Sequence, residues 1–231
     1  MEIIKYGSCG KEITLYVSEN ENSPLIILNT YAGDGKAIVE GLKKAASDSF
    51  SLLCISKIDW NRELSPWPAA PTFPKEPAFG GEADMYLEEL LSKVLPEALG
   101  KIPGKPEYLL IAGYSLAGLF ALYAMYKTDH FDRVASMSGS LWFPGFSDFA
   151  LTHTMMKKPE KVYLSLGDKE DRTRNALLRT VRENTEKFAR YLCDQEIKVR
   201  WELNPGNHFQ DSDARIVRGL ADVLKREEKN E

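Results

Sequence analysis

The chain is poor in cysteine and in histidine, with three of each among its 231 residues. Cys9, Cys54 and Cys193 are odd in number and far apart in the sequence, and they include no C-x-x-C pair. This usage is typical of reduced thiols in a cytoplasm, and it argues against a disulfide framework and a zinc site. We therefore expect a cytoplasmic protein that holds no metal.

The sequence also lacks an excess of positive charge and any long apolar run. Its 30 basic residues are interspersed with 34 acidic ones, so no surface for nucleic acid is expected. No segment approaches the ~20 apolar residues that span a bilayer. The amino terminus, Met1 to Tyr6, has no basic segment followed by an apolar run, so no export signal is indicated. We expect a soluble protein that binds neither nucleic acid nor membrane; the oligomeric state stays open.

Short β-rich runs alternate with longer helical patterns along most of the chain. The predicted strands are 3–6, 12–17, 25–28, 51–56, 108–112, 133–137, 161–166 and 198–203. The predicted helices are 36–47, 83–99, 116–127, 173–193 and 211–226. Such alternation is typical of a mostly parallel eight-stranded sheet with helices on both faces. The length suits a single domain over 1–231, with an N-terminal hairpin region at 1–24 and a frayed charged tail at 225–231.

Two stretches break this alternation and are expected to be irregular. The first, 60–82, is rich in proline and contains a Gly-Gly pair, and the second, 138–147, combines serine, glycine and aromatic residues. Long loops inside a compact domain are often functional. We therefore expect the first loop to have a functional role.

A candidate nucleophile, Ser115, stands between the strand at 108–112 and the apolar helix at 116–127. Strand, sharp turn and helix are the context that a nucleophile elbow requires. The turn needs small residues on both sides of the serine, and the chain offers Gly113 before it and Ala117, instead of the usual glycine, after it. The alternative is that Ser115 only caps the helix. The context favours the nucleophile.

The general base that such a serine needs is expected to be His208. It follows the last predicted strand, on a loop, and it comes after Ser115 in the chain, as the order of residues in this fold requires. His130 comes after a predicted helix and His153 lies within a helical pattern. Both are interpreted as structural residues.

The acid that orients the histidine is expected after the strand at 161–166, where Asp168, Glu170 and Asp171 compete. Asp168 follows too closely on the strand end, and Asp171 is suited to a solvated position or a helix cap. We predict Glu170. A Ser-His pair without an essential acid remains the alternative.

An oxyanion hole in this arrangement uses backbone N–H groups. The first donor is predicted to be Leu116, at the start of the helix. The second is expected from the turn after the strand at 25–28, where we predict Tyr31, with Thr30 as the alternative.

Five sequence blocks together resemble a known family. They are 61–67 (NRELSPW), 80–84 (GGEAD), 113–120 (GYSLAGLF), 138–143 (SGSLWF) and 206–208 (GNH). In this order they are similar to the Putative esterase family of α/β-hydrolases, which contains the enterochelin (ferric-siderophore) esterases and esterase D. The likeness covers roughly residues 25 to 220. It departs from the family pattern at Ala117 and at Gly139, where proline is common.

The resemblance implies hydrolysis of a small-molecule carboxylic ester through an acyl-enzyme, without metal or cofactor. It also implies a pocket formed by Arg62, Trp67, Trp142 and Phe143. Alternatively the tryptophans are packing residues. Arg62 either orients an anionic substrate or pins its own loop through hydrogen bonds to carbonyl groups. Thioester, peptide or sugar-ester cleavage on the same residues, and a non-catalytic binding protein that kept the fold, are the remaining alternatives.

Overall fold

The computed structural model describes residues 1–46 and 49–225. Its strands are β1 (Glu2–Ser8), β2 (Lys11–Val17), β3 (Leu25–Asn29), β4 (Ser51–Ser56), β5 (Pro68–Ala69), β6 (Phe79–Gly80), β7 (Leu109–Tyr114), β8 (Arg133–Met137), β9 (Lys161–Gly167) and β10 (Lys198–Asn204). Its helices are α1 (Lys36–Ala45), α2 (Trp60–Glu63), α3 (Ala83–Glu89), α4 (Leu95–Leu99), α5 (Leu116–Lys127), α6 (Phe146–Thr152), α7 (Val181–Asp194) and α8 (Ser212–Leu224). A π-helical segment, Leu90–Val94, joins α3 to α4, and a 3₁₀ turn, Leu178–Thr180, precedes α7.

Eight strands form one sheet in the order β1-β2-β4-β3-β7-β8-β9-β10. The six strands from β4 to β10 in this order run parallel, and β1 and β2 are antiparallel to their neighbours. This confirms the predicted mostly parallel eight-stranded sheet, and the predicted and observed strands differ only at their ends.

Helices cover both faces of the sheet, because its central strands are apolar on both sides. In β3, Leu25 and Ile27 belong to the core beneath α3 to α7, while Ile26 and Leu28 belong to the core beneath α1 and α8. All four side chains are fully or almost fully buried. A parallel strand with this burial must be apolar at every position, which is why these strands could be recognised in the sequence.

The helix predictions were less accurate than the strand predictions. The helix predicted for 173–193 begins later, because the Asn175 side chain accepts hydrogen bonds from the N–H groups of Leu177 and Leu178 at 2.9 and 3.2 Å. The stretch 60–82 is not wholly irregular, since it contains α2 and the small β5-β6 sheet. Residues 47 and 226 of the predicted helices, and the predicted tail beyond 225, lie outside the described residues.

The carboxyl ends of β3, β7, β8, β9 and β10 lie at one edge of the sheet, because these strands are parallel neighbours. The loops that follow them carry Tyr31, Ser115, Ser138, Glu170 and His208, respectively. Ligands of open α/β sheets bind outside this edge. The topology therefore brings most of the predicted catalytic residues to one place.

None of the helices within residues 1–46 and 49–225 has the length and apolar character needed to cross a membrane. The three cysteines are unpaired, with Cys54 buried and Cys193 exposed.

Candidate active site

Ser115 occupies the turn between β7 and α5, with φ 60° and ψ −123°. A residue other than glycine is strained at such positive φ, and strain of this kind is concentrated at functional sites. A Cβ atom at Gly113 would lie 2.3 Å from the carbonyl carbon of Ala117, so only glycine fits two positions before the serine. The turn has the form of a nucleophile elbow.

Ala117, which departs from the usual glycine, fits this turn. Its side chain is fully buried, and a Cβ atom at Gly113 would come within 2.5 Å of the Ala117 Cβ. The methyl group of Ala117 therefore occupies space that is free because Gly113 has no side chain. The substitution leaves the elbow geometry intact.

The side chains of Ser115, His208 and Glu170 form a continuous hydrogen-bonded chain. The Nε2 atom of His208 lies 3.0 Å from the Oγ of Ser115, and its Nδ1 lies 2.7 Å from the Oε2 of Glu170. The imidazole is 28% exposed, whereas the carboxylate is 4% exposed. A base that reaches both the solvent and the serine, held from behind by a buried acid, has the geometry of a catalytic triad.

The other two histidines make local contacts only. His130 pairs through Nδ1 with the hydroxyl of Thr128 at 2.6 Å. His153 follows α6, where its Nδ1 lies 2.9 Å from the carbonyl oxygen of Phe149. Both contacts are within one or two turns of the same segment, as expected of structural residues.

Of the three candidate acids, Glu170 is the one that contacts the imidazole. Asp168 instead accepts the backbone N–H of Gly206 through Oδ1 at 2.8 Å, so it holds the loop that carries His208. Neither Asp168 nor Asp171 is hydrogen-bonded to His208 in the part of the chain that the structure describes.

The carboxylate of Glu170 is surrounded by donors. Its Oε1 accepts the backbone N–H of Gly167 at 2.6 Å, the hydroxyl of Ser138 at 2.7 Å and the guanidinium of Arg215 at 3.0 Å. Burial by itself raises the pKa of Glu170, but the hydrogen bond and charge of His208, with the Ser138 and Gly167 donors, outweigh it and hold the pKa below its ordinary value. The acid is thus kept ionised.

The two residues predicted to supply the oxyanion donors both lie beside Ser115. Leu116 is the first residue of the 12-residue α5, where a backbone N–H has no intrahelical acceptor. Tyr31 and Leu116 line one groove together with Ser115. The N–H of Thr30 is already used, since it donates to the carbonyl oxygen of Ile55 at 2.9 Å. Between the two alternatives after β3, the geometry favours Tyr31.

Ser115 lies where two grooves meet. The first has a volume of about 610 Å³ and extends past Arg62 and Trp142. The second has a volume of about 620 Å³ and extends past Phe209 and Asp213. Tyr31, Trp60, Glu76 and Ser115 line both grooves. An ester bound with its carbonyl at Ser115 therefore has space for one group on each side.

The four predicted pocket residues divide into two pairs. Arg62 and Trp142 line the first groove. Trp67 and Phe143 are not among its lining residues; they pack behind the wall, with their rings 5.9 Å apart. The Trp67 indole N–H donates to the Pro144 carbonyl oxygen at 2.9 Å, which corresponds to the packing alternative.

Arg62 is paired within its own loop region. Its Nε lies 3.2 Å from the Oδ2 of Asp59 and 3.5 Å from the Oε2 of Glu82. These contacts agree with the alternative in which Arg62 pins its own loop, although its partners are carboxylates rather than carbonyl groups. The side chain is also 53% exposed, so it faces the groove while it is held.

Sequence reasoning missed Arg215, which is 2% exposed and in contact with Glu170. A signal was present in the sequence. Arg215 lies beside Ile216 and one turn before Gly219 and Leu220, on the buried stripe of α8, and a charge on an apolar stripe is rarely buried unless it is paired. Tyr114 and Ser138, which also contact Arg215, were missed because hydroxyl groups at strand ends are common.

Known proteins are similar to this chain in sequence and in fold. The family model described as "Putative esterase" matches residues 29–210. An uncharacterized protein of Bacillus subtilis (strain 168), YbbA, is 25% identical over 176 residues, which cover 71% of this chain and 70% of that protein.

Solved structures of other proteins have the same fold. An IroE-like serine hydrolase from Shewanella oneidensis has a TM-score of 0.77 at 15% identity, with 92% of this chain and 75% of that chain covered. The siderophore hydrolase EstB from Aspergillus nidulans has a TM-score of 0.73 at 18% identity, with 95% and 93% covered. The match of the family model over most of the chain establishes that this protein belongs to the Putative esterase family of α/β-hydrolases, enzymes that hydrolyse carboxylic esters.

Proposed function

We propose that this esterase acts through a serine nucleophile, with Ser115 as nucleophile, His208 as general base and Glu170 as the acid that orients the base. The observation that carries the proposal is the pair of contacts at His208, 3.0 Å to the serine hydroxyl and 2.7 Å to the buried carboxylate. Geometry of this kind activates a serine that is otherwise a weak nucleophile.

In the first half of the reaction, Ser115 Oγ attacks the ester carbonyl carbon while its proton passes to His208 Nε2. The resulting tetrahedral intermediate collapses as the bond to the alcohol oxygen breaks, and the imidazolium donates that proton to this oxygen, which leaves as the alcohol. The acyl group is then bound to Ser115. Glu170 remains ionised throughout and stabilises the positive charge on the imidazole.

In the second half, water attacks the acyl-enzyme. His208 takes a proton from the water and returns it to Ser115 Oγ as the carboxylic acid leaves. In both halves the negative oxygen of the intermediate accepts hydrogen bonds from the backbone N–H groups of Leu116 and Tyr31. Such donors are worth ~3 to 4 kcal/mol each in transition-state stabilisation.

The charges beside Ser115 favour uncharged or cationic small-molecule esters. Three carboxylates, Asp59, Glu76 and Asp213, stand against one cation, Arg62, among the described residues that line the two grooves. That cation already faces Asp59 and a second carboxylate. A negatively charged acyl or alcohol group would therefore meet repulsion with little compensation.

Labelling with a fluorophosphonate probe, followed by mass mapping of the modified peptide, tests the nucleophile. We expect modification of Ser115, and loss of both labelling and esterase activity in Ser115→Ala. Ser92→Ala, at an exposed position of the π-helical segment, is the matched control and should label normally. Modification of Ser140, whose hydroxyl lies 3.5 Å from that of Ser115, would show that the wrong serine has been assigned.

A panel of chromogenic substrates defines the reaction. Oxygen esters should be hydrolysed faster than thioesters, peptides and sugar esters of similar size. If a folded sample neither labels nor hydrolyses any of these, the protein is a binding protein that has kept the fold, and the proposal is wrong.

A further inference from the structure

Arg215 on α8 is the largest of the fully buried side chains, with 2% of its surface exposed. A guanidinium cannot lose its proton inside a protein, so burying it requires acceptors around it. The position of those acceptors shows what the charge is used for. Four of the five belong to the segments that carry the proposed triad, and the fifth, Ser138, lies on the adjacent loop after β8.

The first guanidinium nitrogen, Nη1, contacts the acid and the hydroxyl groups beside it. It donates to the Oε1 of Glu170 at 3.0 Å and to the hydroxyls of Tyr114 and Ser138 at 3.2 Å each. The Ser138 hydroxyl in turn donates to the same Oε1 at 2.7 Å. One oxygen of the acid is therefore fully occupied, and the other, Oε2, is left for His208.

The second nitrogen, Nη2, binds the loop of the base. It donates to the carbonyl oxygens of Pro205 and Asn207 at 2.9 Å each. These two residues precede His208 in the loop after β10. The close approach depends on a neighbouring glycine, since a Cβ atom at Gly167 would lie 3.0 Å from the guanidinium nitrogens and 2.4 Å from the Gly206 carbonyl oxygen.

Arg215 also fixes the direction of the hydrogen bonds around it. Because a guanidinium can only donate, the hydroxyls of Tyr114 and Ser138 must accept from it and donate their own hydrogens elsewhere. Tyr114 donates to the carbonyl oxygen of His208 at 2.6 Å, and Ser138 donates to Glu170. The Arg215 side chain thus determines the direction of hydrogen bonds to both the acid and the loop of the base.

We propose that Arg215 is a positioning residue, which holds the acid Glu170 and the base His208 in the orientation needed to hydrogen-bond each other and Ser115. The inference rests on the proposed triad. It goes beyond a structural role, because a guanidinium needed only to fill the space under α8 would not have to connect the acid and the base loop.

Arg215→Lys tests the proposal. Lysine keeps the charge and most of the buried volume, but its single nitrogen cannot bind the acid and the loop carbonyls at once. Because a small misplacement of reacting groups can cost about 10²-fold in rate, we expect kcat to fall by about 10- to 100-fold with KM changed by less than about 2-fold. The matched control is Arg218→Lys, on the same helix, where Arg218 is half-exposed and kcat should be unchanged.

A second readout separates positioning from general destabilisation. In a Glu170→Gln background, Arg215→Lys should lower kcat much less than in the wild type, because the acid through which it acts is already disabled. Circular dichroism and thermal unfolding establish that each variant is folded. An equal effect in both backgrounds, or wild-type kcat in Arg215→Lys, would overturn the proposal.

Ser138→Ala tests the same network if Arg215→Lys does not fold, since it removes the hydroxyl between the guanidinium and the acid. It should lower kcat in the same direction by about 3- to 10-fold, and an unchanged kcat would refute the network. Ser115→Ala distinguishes the two proposals: activity that survives in Ser115→Ala refutes the triad, whereas full activity in Arg215→Lys beside an inactive Ser115→Ala refutes only the positioning role.

Discussion

The hydroxyl of Tyr114 donates to the backbone carbonyl oxygen of His208 at 2.6 Å. Tyr114 immediately precedes the proposed nucleophile, so this bond connects the strand of the serine directly to the loop of the base. Burial raises the pKa of Tyr114 above its ordinary value. The hydroxyl consequently remains a donor from acidic to moderately alkaline pH, and the connection persists over the range in which a serine esterase works.

Removal of this hydroxyl should affect turnover more than binding. We expect Tyr114→Phe to lower kcat by about 5- to 10-fold, the equivalent of one hydrogen bond, with KM nearly constant, because His208 is less well held while the grooves keep their shape. Steady-state kinetics with a neutral chromogenic ester measures both constants. Tyr6→Phe, in β1 on the antiparallel side of the sheet, provides the control; a large rise in KM in Tyr114→Phe would contradict the expectation.

Neutralising the proposed acid should lower kcat far more than removing the Tyr114 hydroxyl does. Glu170→Gln keeps the shape of the side chain but removes the charge that stabilises the imidazolium, so kcat should fall on the order of 10²- to 10⁴-fold. Asp168→Asn is the comparison, since Asp168 holds the loop at Gly206 rather than the imidazole. A larger loss in Asp168→Asn than in Glu170→Gln would show that the acid has been misassigned.

The ionised Glu170 should also make stability depend on pH. Its pKa is lower in the folded protein than its ordinary value, so the folded state binds this proton less readily than the unfolded state does. Its contribution is therefore complete above the unfolded value of ~4.3 and is lost as the pH falls through the folded pKa.

Urea unfolding at several pH values between 3 and 7 tests this dependence. The free energy of unfolding should fall more steeply below about pH 4 in the wild type than in Glu170→Gln. Glu21→Gln, at an exposed carboxylate, provides the surface control. A wild-type advantage that grows as the pH falls below 4 would have the wrong sign.

Substrate charge should matter because carboxylates outnumber cations in the two grooves. Three 4-nitrophenyl esters with similar acyl chains compare the cases: a trimethylammonio-butyrate, a valerate and a hemisuccinate. We expect kcat/KM to fall in that order, with the anionic ester about 10-fold below the neutral one at low salt and the gap narrowing as salt is added.

Charge reversal in the second groove should reduce this discrimination. Asp213→Lys should raise kcat/KM for the hemisuccinate relative to the valerate. Glu21→Lys changes the net charge equally but lies before β3, at the opposite edge of the sheet, and should leave the ratio unchanged. Equal effects of the two variants would mean that overall charge, rather than the groove, determines the preference.

The sheet and the candidate triad could be predicted because each leaves a local trace in the sequence. Buried parallel strands are continuously apolar, and Ser115 and His208 lie in the turn or loop that follows two of them. The choice among Asp168, Glu170 and Asp171 depended on reach alone, and Glu170 is the residue that contacts the imidazole. The chemical roles of Ser115, His208 and Glu170 remain a prediction.

Other features depend on contacts between distant segments, which sequence patterns do not reveal. Thr30 could not be set aside until its N–H was seen to bond Ile55. Trp67 and Trp142 both lie on loops near the site, yet only the latter lines the groove. Arg215 is joined to Glu170 across 45 positions of the chain. The apolar stripe of α8 indicates that its charge is buried, but it does not identify Glu170 as the partner.

The placement of the guanidinium on α8 has a consequence for biosynthesis. Ser115, Glu170 and His208 all emerge from the ribosome before Arg215 does, so a nascent chain can contain the three reacting groups while the side chain that aligns them is still missing. Esterase activity is therefore expected to arise late, when α8 docks on the sheet. Turnover of a chromogenic ester during synthesis would then report docking of α8.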